Sequence, residues 1–273
     1  MGYGGVGRIA RLIFFDSLAR MKSKILLLVL LHLGVLAALY FIHRTRHPAI
    51  HDVWIVNLDR DTKRLAHVQT QALAIPAPKH RWSATYGKSE DRRAARRDGV
   101  CMFLMVSDDE AENKRTTTIL QKPGVIGCWL SHKRLLRHLG SVSASSSAGH
   151  LILEDDVDIP ADFADRWASV RGYIPSDWDV VYFGVGKPTG VPVAPGVLRA
   201  IKKEESGNTG TYAYLVRHGA IPAILKKLDF MSSPIDKQYY KMFTDLKVYI
   251  LEPPLVAPGT FESSILTMEQ RSV

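Results

Sequence analysis

Val53-Trp54-Ile55-Val56-Asn57-Leu58 is a compact apolar run, and the stretch 59–75 behind it sets Leu65, Val68, Ala72 and Leu73 on one helical face. A buried strand that passes at once into an amphipathic helix opens an α/β unit, because the helix must fold back over one face of a sheet. The alternation continues along the chain. Strands are predicted at 80–84, 150–153, 178–183, 197–203, 211–216 and 248–251, and helices at 123–139, 161–173, 219–228 and 235–243. The polar stretch 86–118 lacks a period and reads as loop, with one helical turn at 91–97. Gly184, Gly186, Pro188 and Gly190 read as chain breakers. With no internal repeat, the pattern predicts one mixed α/β domain.

Ahead of this domain, Ile25 to Ile42 is apolar except for His32. Its roughly 18 residues suffice for a thin bilayer. The run is followed by His43-Arg44-Thr45-Arg46 rather than a small-residue cleavage site, which favours an uncleaved anchor over a signal peptide. Arg8, Arg11, Arg20, Lys22 and Lys24 precede it, against Arg44, Arg46 and Arg60 behind it, so the N-terminus is expected in the cytoplasm. The expected layout is a basic tail at 1–24, an anchor at 25–42, a stem at 43–52, a catalytic domain at 53–266 and a tail at 267–273.

The net charge of +9 would suit a nucleic-acid binder. However, about +6 of it lies within the first 46 residues, flanking the apolar run, which argues against nucleic acid as a partner. The one basic cluster of the main domain, Arg92-Arg93-Ala94-Ala95-Arg96-Arg97, reads as a solvated helix face. Cys101 and Cys128 make no disulfide framework and show no metal-ligand spacing; a single bridge between them is left open.

Chemistry is concentrated where His150-Leu151-Ile152-Leu153 delivers Glu154-Asp155-Asp156. Ligands of open α/β sheets bind beyond the carboxyl ends of strands, and three carboxylates there need a cation or hydrogen bonds to compensate them. The plainer alternative is an acidic turn before a helix capped by Asp158 or Asp162.

Further blocks accompany the triplet. Asn57-Leu58-Asp59-Arg60 with Arg64 forms a strand-to-helix turn; Gly127-Cys128-Trp129-Leu130-Ser131-His132 lies on a helix; Gly210-Thr211-Tyr212-Ala213-Tyr214 is a strand; Pro234-Ile235-Asp236 starts a helix. Tyr212 and Tyr214 are expected on one side of their strand. Gly127 and Ser131 lie one turn apart, so a backbone or ligand can approach there. In this order the blocks resemble family 25 glycosyltransferases, the lipooligosaccharide sugar transferases of bacteria and the procollagen galactosyltransferases of animals. Two positions depart from that pattern: Val125 stands where the family usually carries an acid, and Ala84-Thr85-Tyr86-Gly87 replaces an Ala-x-Asp-Gly-like turn.

The resemblance implies a single GT-A-like domain with a Rossmann-like mixed sheet, set behind the N-terminal transmembrane helix read from the apolar run. It implies transfer of a sugar, commonly galactose, from a UDP-sugar to a hydroxyl of a glycan, lipid or protein acceptor, with inversion. Asn57, Arg60, Arg64, Gly127, Ser131, His132, Glu154, Asp155 and Tyr212 are the implied donor-site residues. Glu154 and Asp156 would hold Mn2+ or another divalent cation, and Asp236 and Asp156 would be catalytic, with Asp236 as the acceptor-side base. A single-pass type II protein of ER or Golgi membranes, with its catalytic domain in the lumen, completes the expectation. The alternative is a membrane-anchored scaffold that keeps the fold without catalysis.

Overall fold

Strand β1 (Ile50–Asn57) runs into the interior so that Val53 and Ile55 face one layer of core and Val56 the other. Its sequel, α1 (Thr62–Gln71), covers the first of these layers through the fully buried Val68. The computed structural model describes residues 29, 31–36, 47–101, 119–202 and 208–261. The elements after α1 are β2 (Lys79–Ser83), α2 (Arg92–Arg97), α3 (Pro123–Ser141), β3 (Gly149–Glu154), β4 (Val157–Asp158), α4 (Phe163–Arg171), β5 (Val180–Gly186), β6 (Gly190–Ala194) and β7 (Val197–Ala200). They are followed by β8 (Thr209–Arg217), α5 (Ile221–Lys227), α6 (Ile235–Lys241), β9 (Val248–Leu251) and β10 (Ala257–Pro258).

Eight strands form one sheet in the order β2-β1-β3-β8-β5-β9-β7-β6, while β4 and β10 pair separately. β2, β1 and β3 are mutually parallel, β8 runs antiparallel between β3 and β5, and β9 returns parallel to β5. This is the mixed sheet expected of a Rossmann-like domain.

Burial on both faces explains the apolar runs of the central strands. In β3, Leu151 and Leu153 face the layer shared with Phe163 and Trp167 of α4, whereas Ile152 faces the layer of α3, α5 and α6. Each such fully enclosed aliphatic side chain contributes about 1.5–3 kcal/mol. Trp129 of α3, itself fully buried, donates its Nε1–H to Gln238 Oε1 of α6 at 2.9 Å, which ties two helices together over the sheet.

β6 begins at Gly190, one of the expected chain breakers, and pairs with β7, which lies within the strand expected at 197–203. Pro192 is tolerated because β6 is the sheet's edge strand, where a missing N–H disrupts no inner ladder. Tyr212 and Tyr214 do not share a face. Tyr214 lies in the layer of α3, whereas Tyr212 packs on the opposite layer, because β8 shifts register against β5 on both sides of Gly184. Gly184 has no side chain, and a Cβ there would stand 2.5 Å from the Tyr212 ring.

The basic cluster forms α2, capped by the Asp91 carboxylate, which accepts from the backbone N–H groups of Arg93 and Ala94; its arginines are exposed. Cys101 and Cys128 are both free thiols. The chain divides into two units, residues 1–46 and 47–273. In the first, residues 29 and 31–36 are helical, and the expected anchor at 25–42 otherwise lies outside the described residues. Among the described residues no helix is long and apolar enough to cross a membrane.

Candidate active site

A cleft of about 480 Å3 opens beyond the carboxyl ends of β1 and β3, walled by residues from α1, the 84–88 turn, the start of α3 and the acidic triplet. β3 carries five buried residues before Glu154, so its apolar interior drives the strand through the core and leaves the carboxylates at its carboxyl end, beneath the cleft. The turn is then clamped from the far end of the chain. β10 pairs with β4, and the Gly259 N–H donates to the Asp156 carbonyl at 2.6 Å. A Cβ on Gly259 would approach that carbonyl to 2.9 Å, so the clamp requires glycine.

The three carboxylates have different partners. Asp155 is buried: the Asn57 amide donates to its Oδ2 at 2.7 Å and the Arg64 guanidinium to its Oδ1 at 3.0 Å. Burial nevertheless pushes the Asp155 carboxyl above its ordinary range, the two donors offsetting only part of the desolvation. Glu154 accepts from the Thr211 hydroxyl at 2.7 Å and lies 3.3 Å from His132 Nε2. Burial works to raise the Glu154 carboxyl as well, yet His132 and Thr211 hold it below its usual value. Asp156 lines the cleft with its carboxylate 3.9 Å from Arg64.

The other expected site residues separate into wall and support. Arg60 lines the cleft, its guanidinium 4.1 Å above the Tyr86 ring. Thus the aromatic ring found in place of a family carboxylate still engages Arg60, as a cation–π partner. Asn57 does not face the cleft. Its amide is spent on Asp155 and the Asp61 carbonyl, and its oxygen accepts from Arg81 at 3.0 Å, so it positions Asp155 from below.

Gly127 and Ser131 hold the neighbouring backbone, and Ser131 also lines the cleft. The Ser131 hydroxyl accepts from the Thr85 N–H at 2.8 Å, and a Cβ on Gly127 would lie 2.5 Å from the Thr85 carbonyl. Gly87 closes the same contact from the other side, where a Cβ would collide with the Pro123 carbonyl. Together they fasten the turn that carries Tyr86 onto α3. Val125, the other departure, is packed in the core.

His132 is fully buried, with Nδ1 hydrogen-bonded to the Tyr214 hydroxyl at 3.0 Å. Tyr212 stands outside the cleft, and burial with the nearby Glu154 charge pushes its hydroxyl up to about 12. Asp236 also lies outside the cleft lining, in the first turn of α6, where one oxygen accepts from the Gly210 N–H at 3.2 Å. Its charge still reaches Cys128, whose thiol is raised well above its usual range by burial and then by Glu154, Asp236 and Asp156.

Cys128 and Thr211 were missed by sequence reasoning. Cys128 sits four residues before His132, a spacing that puts both on one helical face, and that spacing was the available signal. Thr211 gave no signal, because the face it takes depends on the register shift in β8. Among the described residues, the ligand atoms of Cys128, His132 and Glu154 lie within 4.8 Å of one another, and Asp156 is not in that group.

A Rossmann-like sheet whose carboxyl edge carries an acidic triplet, in a cleft also lined by arginine and lysine side chains, puts these groups where open α/β sheets bind their ligands. Residues 50–181 match the family described as Glycosyltransferase family 25 (LPS biosynthesis protein), the same family that the sequence blocks resemble. The match spans β1 to the start of β5, so it includes the cleft walls and the triplet, while Tyr212 and Asp236 lie beyond it. No curated protein sequence matches the chain.

Proposed function

We propose that the protein transfers a sugar from a UDP-sugar, galactose being the sugar suggested by the family resemblance, to a hydroxyl of a glycan, lipid or protein acceptor, with inversion. The observation that carries this reading is Arg60 held over Tyr86 at the mouth of a cleft whose floor is the triplet. A guanidinium in that position can donate to a diphosphate in paired, charge-assisted hydrogen bonds. Arg64 braces Asp155 and approaches Asp156, which fixes the floor against which the donor would rest.

Asp156 is the carboxylate best placed to hold a hard cation such as Mn2+ together with donor phosphates, since its side chain lines the cleft. Such an ion would neutralise the diphosphate as it departs. Glu154, the other expected ligand, faces Thr211 and His132 instead. Asp236, in the first turn of α6 beside Gly210, is assigned to the acceptor side as general base. The apolar run 25–42 is assigned as an anchor that leaves the catalytic unit on the lumenal side of ER or Golgi membranes. Protease protection in sealed microsomes tests that topology: digestion of the main unit without detergent would contradict it.

The test of transfer is UDP release by the full chain from a panel of UDP-sugars, with Mn2+ or with EDTA, beside Asp156→Asn. Metal-dependent release from one donor, lost in Asp156→Asn with the fold intact, is the expected result. Equal turnover by Asp156→Asn would remove Asp156 from the site, and UDP binding without turnover across all donors and acceptors would favour the scaffold alternative.

A further inference from the structure

At the inner end of the cleft, three side chains converge that a diphosphate contact does not account for. Cys128 and His132 project from one face of α3, one turn apart, and Glu154 meets them from the end of β3. Their ligand atoms are all within 4.8 Å of one another. Tetrahedral zinc separates sulfur, nitrogen and oxygen ligands by about 3.3–3.6 Å. His132 Nε2 and Glu154 Oε1, at 3.3 Å, already stand at that spacing.

A second observation points the same way. His132 is fully enclosed, and its Nε2 makes no well-formed hydrogen bond: its close polar neighbour is Glu154 Oε1 at 3.3 Å, and an under-satisfied ring nitrogen in the interior is costly. The opposite nitrogen is fixed by the Tyr214 hydroxyl, and Glu154 is fixed by Thr211. Metal-binding histidines and carboxylates carry such outer hydrogen bonds, which set the ring orientation and keep the free atom aimed at the ion.

We propose that Cys128, His132 and Glu154 bind a zinc ion whose fourth coordination position opens into the cleft. A thiolate, an imidazole and a carboxylate suit Zn2+, whereas Mn2+ and Mg2+ favour oxygen-only sets. Three protein ligands with one open position is the arrangement of zinc sites that accept water or a substrate oxygen, and all three residues line the cleft. Binding replaces the thiol proton with the metal, so affinity rises with pH and one proton leaves per thiolate formed.

The site stands on its own geometry and does not require the donor reading. The test uses Co2+ as a spectroscopic probe of the full chain, followed by competition with Zn2+ and with Mn2+. The expected result is one tightly held Co2+ with a thiolate-to-cobalt charge-transfer band and the intense visible bands of four-coordination, displaced by equimolar Zn2+ but not by Mn2+. Cys128→Ser should abolish the charge-transfer band, and Thr211→Val should weaken Zn2+ binding about 10–100-fold. Thermal unfolding in EDTA should show both variants folded. A charge-transfer band unchanged in folded Cys128→Ser, weak six-coordinate cobalt bands, or equal displacement by Mn2+ would overturn the proposal. Since no outcome reads sugar transfer, failure here leaves the transferase reading untouched, and the converse also holds.

Discussion

Gly127→Ala separates the tertiary contact from local helix preference by the sign of its effect. Within a helix, alanine in place of glycine ordinarily stabilises by about 1 kcal/mol. At position 127 the new Cβ would stand 2.5 Å from the Thr85 carbonyl oxygen and 2.9 Å from the Gly87 nitrogen. Both are backbone atoms, so no side chain can rotate away; the 84–87 turn must shift by several tenths of an ångström. Overpacking of this kind costs about 1–3 kcal/mol. The shift also strains the Thr85 N–H to Ser131 bond, a further loss of about 1 kcal/mol that roughly cancels the helix gain. The net expectation is destabilisation by about 1–3 kcal/mol, or roughly 2–4 °C in Tm per kcal/mol for a domain of this size. Because the turn carries Tyr86, and Tyr86 carries Arg60, the KM for the donor should rise as well. Urea unfolding followed by circular dichroism measures the first effect and steady-state kinetics the second. A variant as stable as the parent or more so, with unchanged KM, would refute the close approach of turn and helix.

Asp155→Asn removes the closer of the two carboxylates facing Arg64, leaving Asp156 at 3.9 Å, and sets an amide where two donors converge; loss of about 3 kcal/mol is expected, at the lower end for a broken buried pair, and the urea midpoint measures it. His218 hydrogen-bonds His150 at the amino end of β3, and burial with the neighbouring His150 holds its imidazole below the ordinary value. A lowered folded value means that this contribution is present above about pH 6.5 and is lost as pH falls through the folded pKa. The urea midpoint measured between pH 7.5 and 5 should therefore fall less steeply in His218→Gln than in the parent; identical slopes would contradict the assignment.

The strand and helix order was legible because apolar runs and helical spacing report burial directly. Val248–Leu251 appears at its expected bounds, and β3 is longer than expected by a residue at each end. β7 lies within the strand expected at 197–203, but β6 was not legible: Gly190 and Pro192 carry turn chemistry, and only the edge position of β6 reconciles them with a strand. In the site, Arg60, Ser131, His132 and the triplet do line the cleft. Asn57 and Gly127, in contrast, proved to hold neighbouring backbone and carboxylate, because their environment is set by elements distant in sequence. The clamp by Gly259 and the approach of Thr211 to Glu154 depend on chain crossings and a register shift that no local pattern records.

The central claim is that this cleft receives a nucleotide-sugar donor, and calorimetric binding of UDP to the full chain tests it most directly. One UDP per chain is expected, weakened about 10–150-fold in Arg60→Ala, as loss of a charge-assisted hydrogen bond implies, and unaffected by His218→Gln at the opposite end of β3. Absence of UDP binding, or equal affinity in the parent and Arg60→Ala, would contradict the account.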